Sequence, residues 1–386
     1  MRISSRLSLG VLVPIALIAS MSCGGPESQS DSGPDISALQ PGNYRTNPRT
    51  SEEVRTPENV DVQESLRLGQ HVPLIMETNP RLVFNPVVYR TKVLTPLHPP
   101  RIQDQDFHVA VPGLVAGWET VGQRREESSL GRTIELAIMA FAEPKQATHA
   151  AEFLSDMALH GSSPPVGTIG IPGHPTAIGQ VSEFGSLNVW VTQGNLMVET
   201  YIGAGVDIPP DTTGLAAEVK TVLDNLFSAL GEYKPTPVDE LGQLPVDRDG
   251  ILAFALPGSE PVAEMVLDPS SLLNFLQRPD LAKRALEDSG VDLAVHGGAR
   301  IYRTADPAAA ERLKAYFVSQ LNAAQQPVDS PPGMPAAHCT DDPESTSSLS
   351  CIFTSNRYVA IIDGSNQIQD LHQQVAAQYL LLAKVP

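Results

Sequence analysis

Three cysteines, two tryptophans, 5% aromatic residues and a shortage of positive charge mark this 386-residue chain before any motif is sought. With 26 Lys and Arg against 44 Asp and Glu, the formal charge is -18. No basic surface can then neutralise a phosphate backbone, which excludes nucleic acid as a partner, and anionic lipid headgroups repel the folded part. Long apolar runs are also missing. The stretch from Leu7 to about Ile18 is interrupted by Gly10 and Pro14 and falls short of the roughly 20 residues a membrane span needs. A hydrophobic content of 41% nevertheless exceeds that of a disordered chain, and 34 prolines imply extended connectors between packed units.

Arg2 and Arg6 precede that apolar stretch, and no acidic residue stands before Glu27. The pattern is that of a secretory signal. It ends in Ala19, Ser20, Met21, Ser22 and Cys23, a run similar to a bacterial lipobox, although Ser20 stands where leucine is commonest. Cys23 is accordingly the expected lipidation site, and two or more acyl chains suffice for stable anchoring where one does not. The chain is expected to be exported and held at the outer leaflet of the cell membrane. From Gly24 to about Asp61 the residues are mainly small, polar or charged. Such a segment reads as a disordered tether, and about 35 residues of flexible coil span roughly 30 Å.

With Cys23 acylated, Cys339 and Cys351 are the remaining thiols and should pair in an oxidising compartment. The competing assignment is a metal site with His338, Asp341, Asp342 and Glu344, but two thiols and one adjacent histidine do not form a zinc spacing. No metal and no cofactor is expected.

The chain also repeats itself. Ala-Glu-Pro at Ala142 matches Ala-Asp-Pro at Ala305, the run from Leu187 to Met197 matches Leu349 to Val359, and Leu215, Val219 and Leu226 match Leu371, Val375 and Leu382. The three offsets, 163, 162 and 156 residues, lie close together, which argues for two copies of one module. Each copy reads as a strand (Ile134 to Phe141; Ala299 to Thr304), a helix opened by Pro144 or Pro307, a hairpin turning at Gly194 or Asn356, and a final amphipathic helix. The second copy adds a leading helix from Pro279 to a stop at Gly290, then a strand through Val291, Leu293 and Val295. Before the first copy, Glu64 to Met76 looks helical and Val83 to Val93 extended. The expected fold is α+β: two tandem related modules, each an antiparallel sheet with helices on one face. The expected organisation is a signal peptide over 1–22, a lipidated tether over 23–61, an N-terminal domain over 62–236 and a C-terminal domain over 246–386, with the break near Lys234 to Pro245.

Catalytic signatures are absent. Gly167, Gly170 and Gly173 lack the lysine of a phosphate loop, and no nucleophile elbow or zinc-protease helix occurs. His174, between Gly173 and Pro175, reads as a loop histidine rather than a base. Asp247 to Gly250 reads as a turn rather than a calcium loop. Trp118 and Trp190 read as core or groove residues.

The segments Gly42 to Arg49, Ser289 to Pro307 and Arg357 to Lys384 resemble a family of uncharacterised actinobacterial lipoproteins, mycobacterial and nocardial. The resemblance implies a lipid-anchored envelope protein with an N-terminal and a C-terminal domain of unknown function, and brings no catalytic residues. The expected function is non-catalytic binding or sensing of an envelope ligand or protein partner. The alternatives are a carrier for a lipid or other apolar molecule, favoured by a cavity of several hundred Å³, and an envelope hydrolase using carboxylates such as Asp341 and Glu344.

Overall fold

The computed structural model describes residues 33–86, 92–100, 106–126, 131–161, 163–203, 205, 210–258, 264–343 and 348–386. The expected signal peptide and Cys23 lie outside these residues.

Seven strands form the first sheet: β1 (Val93–Leu94), β2 (Leu114–Gln123), β3 (Thr133–Phe141), β4 (Gly167–Ile171), β5 (His174–Val181), β6 (Leu187–Gln193) and β7 (Leu196–Ile202). Their spatial order is β1-β2-β3-β7-β6-β5-β4, antiparallel at every pairing. Seven more form the second: β8 (Met265–Leu267), β9 (Leu293–His296), β10 (Arg300–Arg303), β11 (Gln326–Val328), β12 (His338–Asp341), β13 (Leu349–Ser355) and β14 (Tyr358–Ser365). Read from the other edge, the order is β8-β9-β10-β14-β13-β12-β11, again antiparallel throughout. The two orders are the same topology, strand for strand. A helix follows the third strand in both (Pro144–Leu159; Pro307–Ser319), and another follows the seventh (Thr212–Leu230; Ile368–Leu382). The sequence duplication is therefore a duplication of fold.

Local chemistry explains the helix starts. Pro144 and Pro307 occupy the first turn, where a missing N–H costs nothing. Glu143 forms a capping box with Gln146, and the Asp306 carboxylate accepts from the Ala309 N–H at 2.7 Å.

The two α+β modules are present as expected, but their helices cover both faces of each sheet rather than one. Ile134, Leu136 and Ile138 of β3 join the apolar cluster of the helix Thr212–Leu230. Met139 and Phe141 join that of Pro144–Leu159, together with Trp190 and Met197. In the second sheet Tyr302, Val359 and Ile361 cluster with Pro307–Ser319, whereas Ile301, Phe353, Ala360 and Ile362 cluster with Ile368–Leu382. Successive side chains on a strand point oppositely. Strands apolar at both parities need cover on both sides.

The units are not independent globules. One apolar cluster takes in the inner face of the first sheet and the Pro307–Ser319 face of the second. Trp118 of β2, fully buried, meets the Phe275 ring edge-on with centroids 6.0 Å apart. Asn85 donates its backbone N–H to the Gln277 carbonyl at 2.9 Å, and the Arg278 guanidinium lies 4.8 Å from the Phe84 ring centre.

The expectation of a free tether reaching to residue 61 is overturned for residues 33–61, which are folded against the second unit. Leu39 and Val54 are buried in that unit's core. Tyr44 donates its hydroxyl to Asp370 at 2.6 Å, and Lys384 reaches the Thr46 carbonyl at 2.6 Å. Arg49 makes a two-pronged, buried ion pair with Glu264 at 2.5 and 3.0 Å, and donates to the Leu252 carbonyl at 2.8 Å. Average composition missed this because a few anchoring side chains and specific hydrogen bonds hold an otherwise polar strip.

Between Glu64 and Met76 the expected single helix is two, Gln63–Gly69 and Ile75–Thr78, separated at Pro73. Of the stretch expected to be extended, Val83 to Val93, the described residues put Val93 at the start of the strand Val93–Leu94 and Phe84 in a lone antiparallel bridge to Gln123, while residues 87–91 lie outside the described part.

Candidate functional site

The paired thiols are where the arithmetic put them. Cys339 on β12 lies directly opposite Cys351 on β13, both buried, with sulfurs at disulfide distance and Cα atoms 4.1 Å apart. Among the described residues no group of three or more His, Cys, Asp or Glu side chains could hold a metal ion, and Glu344 of the competing assignment falls outside them.

His174 stands on β5 with Nε2 3.1 Å from Asp224, a carboxylate that also pairs with Lys220. Its ring leans on Phe227, centroids 5.8 Å apart. This is a surface network joining hairpin to helix. Asp247 accepts the Leu252 and Ala253 N–H groups at 2.7 and 3.1 Å, and Asp249, with φ +61°, pairs with Arg303, so the segment is a turn. Trp118 and Trp190 are core residues.

What the sequence did not single out is a cleft of about 680 Å³ where the units meet. One wall starts from the helix Gln63–Gly69. Glycine is required at its end, because a Cβ on Gly69 would lie 2.5 Å from the Trp118 ring. The chain then turns through Gln70, His71, Val72, Pro73 and Leu74 along the cleft, beside Ser228, Ala229 and Glu232 from the end of Thr212–Leu230. Tyr233 braces this wall. Its ring lies 5.9 Å from His71, and its hydroxyl donates at 2.7 Å to Glu64, which also accepts from Thr236 N–H at 2.9 Å and Arg67 at 2.7 Å. Burial, reinforced by the Glu64 carboxylate, pushes the Tyr233 hydroxyl well above the usual phenol range.

The opposite wall belongs to the second unit. Asp268 accepts the Ser270 and Ser271 N–H groups at 2.9 and 3.0 Å, setting the short helix Pro269–Leu272 so that Pro269, Ser270 and Leu273 face the cleft. The helix Pro279–Asp288 presents Lys283, Leu286 and Glu287, and Val291 follows it. Val72, Leu74, Leu273, Leu286 and Val291 are buried and apolar. Among the described residues one ion pair crosses the opening, Lys283 to Glu77 at 3.7 Å, between two exposed side chains. The size is that of a small-molecule site, with an aliphatic floor, polar and charged side chains such as Gln70, His71, Glu77, Glu232, Lys283 and Glu287 around it, and walls from two bodies. Among the described residues no hydrogen bond joins His71 to Ser228 or Ser270, the serines of the lining.

A second hollow of about 460 Å³ lies on the outer face of the first sheet, lined mainly by Glu119, Glu135, Glu199, Asn188 and Tyr201. It lacks an apolar wall to match.

These features define a class: a tandem protein built from one duplicated α+β topology, with an apolar cleft at the junction. The family model described as the N-terminal part of a domain of unknown function, DUF7373, matches residues 51–246, and its C-terminal counterpart matches residues 256–385. The chain belongs to this family. None of the curated proteins matches it. Among solved structures, the extracellular domain of PknH from Mycobacterium tuberculosis is similar over 33% of this chain and 72% of that one, at 14% identity and a TM-score of 0.24.

Proposed function

We propose that this chain is an exported actinobacterial lipoprotein, anchored through Cys23, that binds an apolar envelope molecule in the inter-unit cleft without transforming it. The cleft carries this reading. A hollow of about 680 Å³ is large enough for a lipid-like body, and its buried aliphatic floor gains from displacing water. The anchor rests on the Arg-rich, apolar, Cys23-terminated leader. Among the three functions expected from sequence, a carrier for an apolar molecule gains most from this geometry. The hydrolase gains least, since Asp341 sits on a strand within the second sheet.

Two experiments test the reading. Calorimetry with decanol on the mature chain should show one saturable site, lost in Leu286→Trp, which fills the floor. Absence of saturable binding in the parent chain overturns it. Acyl-chain labelling with and without globomycin tests the anchor: label on Cys23 and accumulation of precursor are expected, and an unlabelled, normally processed chain refutes it.

A further inference from the structure

The charges around the cleft deepen that reading, on which the following rests. Glu77, Glu232 and Glu287 line it against one lysine, Lys283, and that lysine pairs with Glu77. Glu232 comes from the first unit and Glu287 from the second, both are exposed, and neither forms an ion pair or side-chain hydrogen bond among the described residues. Below them lie Leu74, Leu273 and Leu286, all buried. The cleft thus combines an apolar floor with two unneutralised carboxylates on opposing walls, in a chain of formal charge -18.

We infer that the ligand is an amphiphile whose polar end is cationic, its apolar body on the aliphatic floor and its charge between Glu232 and Glu287. Anionic amphiphiles of the same length are turned away twice, by these carboxylates and by the field of the whole molecule. Each exposed carboxylate acts through water and contributes modestly. The expected preference is therefore about tenfold, and it weakens as salt shortens the screening length.

The test compares three ten-carbon probes that differ only at the polar end, decylammonium, decanol and decanoate, below their micellisation limits. The full mature chain carries Cys23→Ser so that no acyl group competes for the cleft. Decylammonium should bind about tenfold more tightly than decanoate, with decanol between them. Raising the salt should narrow the gap, and Glu232→Gln with Glu287→Gln should remove most of it while leaving decanol affinity unchanged. Equal affinities, or tighter decanoate binding, overturn the inference and leave the apolar cleft standing. Failure of all three probes to bind overturns both.

Discussion

In the first unit the second and third strands are long, ten residues in Leu114–Gln123 and nine in Thr133–Phe141. Their counterparts in the second, Leu293–His296 and Arg300–Arg303, have four each. The second unit has two devices that the described part of the first lacks. Cys339 and Cys351 join β12 to β13, where the equivalent pair on β5 and β6 is Gly179 opposite Val189. The strip of residues 33–61 also lies along it, adding Leu39 and Val54 to its core. Inside that core Gln378 accepts from Leu256 N–H and donates to the Phe254 carbonyl, both at 2.8 Å, fastening the segment after the inter-unit connection to the last helix. One topology is thus stabilised in two ways: by length of ladder in one copy, and by a cross-link and an added layer in the other.

The sharpest way to break the comparison is to unfasten the strip. Arg49→Ala leaves the Glu264 carboxylate buried without its partner, and removing one member of such a pair costs about 3–5 kcal/mol. Chemical denaturation should show that loss, and Arg49→Met with Glu264→Met should recover most of it. A single variant as stable as the parent would mean that the strip adds nothing. Next is the cross-link. Cys339→Ala with Cys351→Ala, or a reductant on the parent chain, should cost about 3 kcal/mol, read as a lower denaturation midpoint. Val189→Ala in the first unit should cost only about 1–2 kcal/mol. Equal effects would remove the claim that the second copy depends on its bridge.

A pH titration sharpens the same contrast. His296 of β9 pairs in register with Arg300 as Glu119 of β2 pairs with Ala137. Burial, aided by the neighbouring Arg300 charge and opposed by Asp363, lowers the imidazole from its ordinary 6.5 to about 4. A depressed folded-state value favours the neutral ring. Its contribution is complete above pH 6.5 and fades as pH falls toward 4. The loss should reach about 2 kcal/mol after allowing for solvent screening, and His296→Phe should flatten that part of the stability profile. An unchanged profile would remove His296 from the account.

Some of this architecture could be read from residues alone. The matched blocks at Ala142 and Ala305, Leu187 and Leu349, and Leu215 and Leu371 all fall at equivalent elements, because strand alternation and helix spacing leave marks in sequence even where identities are few. The Cys339 to Cys351 pairing was legible from counting. Strand Leu114–Gln123 was not, since it is buried along almost its whole length and includes Gly117, Glu119 and Gly122, so no period of two appears. Helices on both faces were missed for a related reason: apolar residues at both parities read as one strand signal without saying what covers each side. The cleft was least legible. Its walls come from segments around residues 70–77, 228–232, 269–273 and 283–291, each with an ordinary amphipathic pattern, and only their meeting makes a site.

The smallest effect isolates the hairpin turns, where the copies solve one backbone problem with different residues. Gly194 has φ +60° and Asn356 has φ +51°, at matching places between the sixth and seventh strands. Glycine enters this left-handed region freely, and asparagine tolerates it better than other side chains do. A Cβ on Gly194 would meet nothing within 4 Å, so any penalty there comes from the backbone alone. Gly194→Ala and Asn356→Ala should each cost about 1 kcal/mol, while Gly194→Asn and Asn356→Gly should stay within about 0.5 kcal/mol of the parent. Thermal melts of the four variants decide the matter. If alanine is as good as the native residue at either turn, the left-handed conformation is not what fixes these residues, and the correspondence of the two hairpins rests on strand register alone.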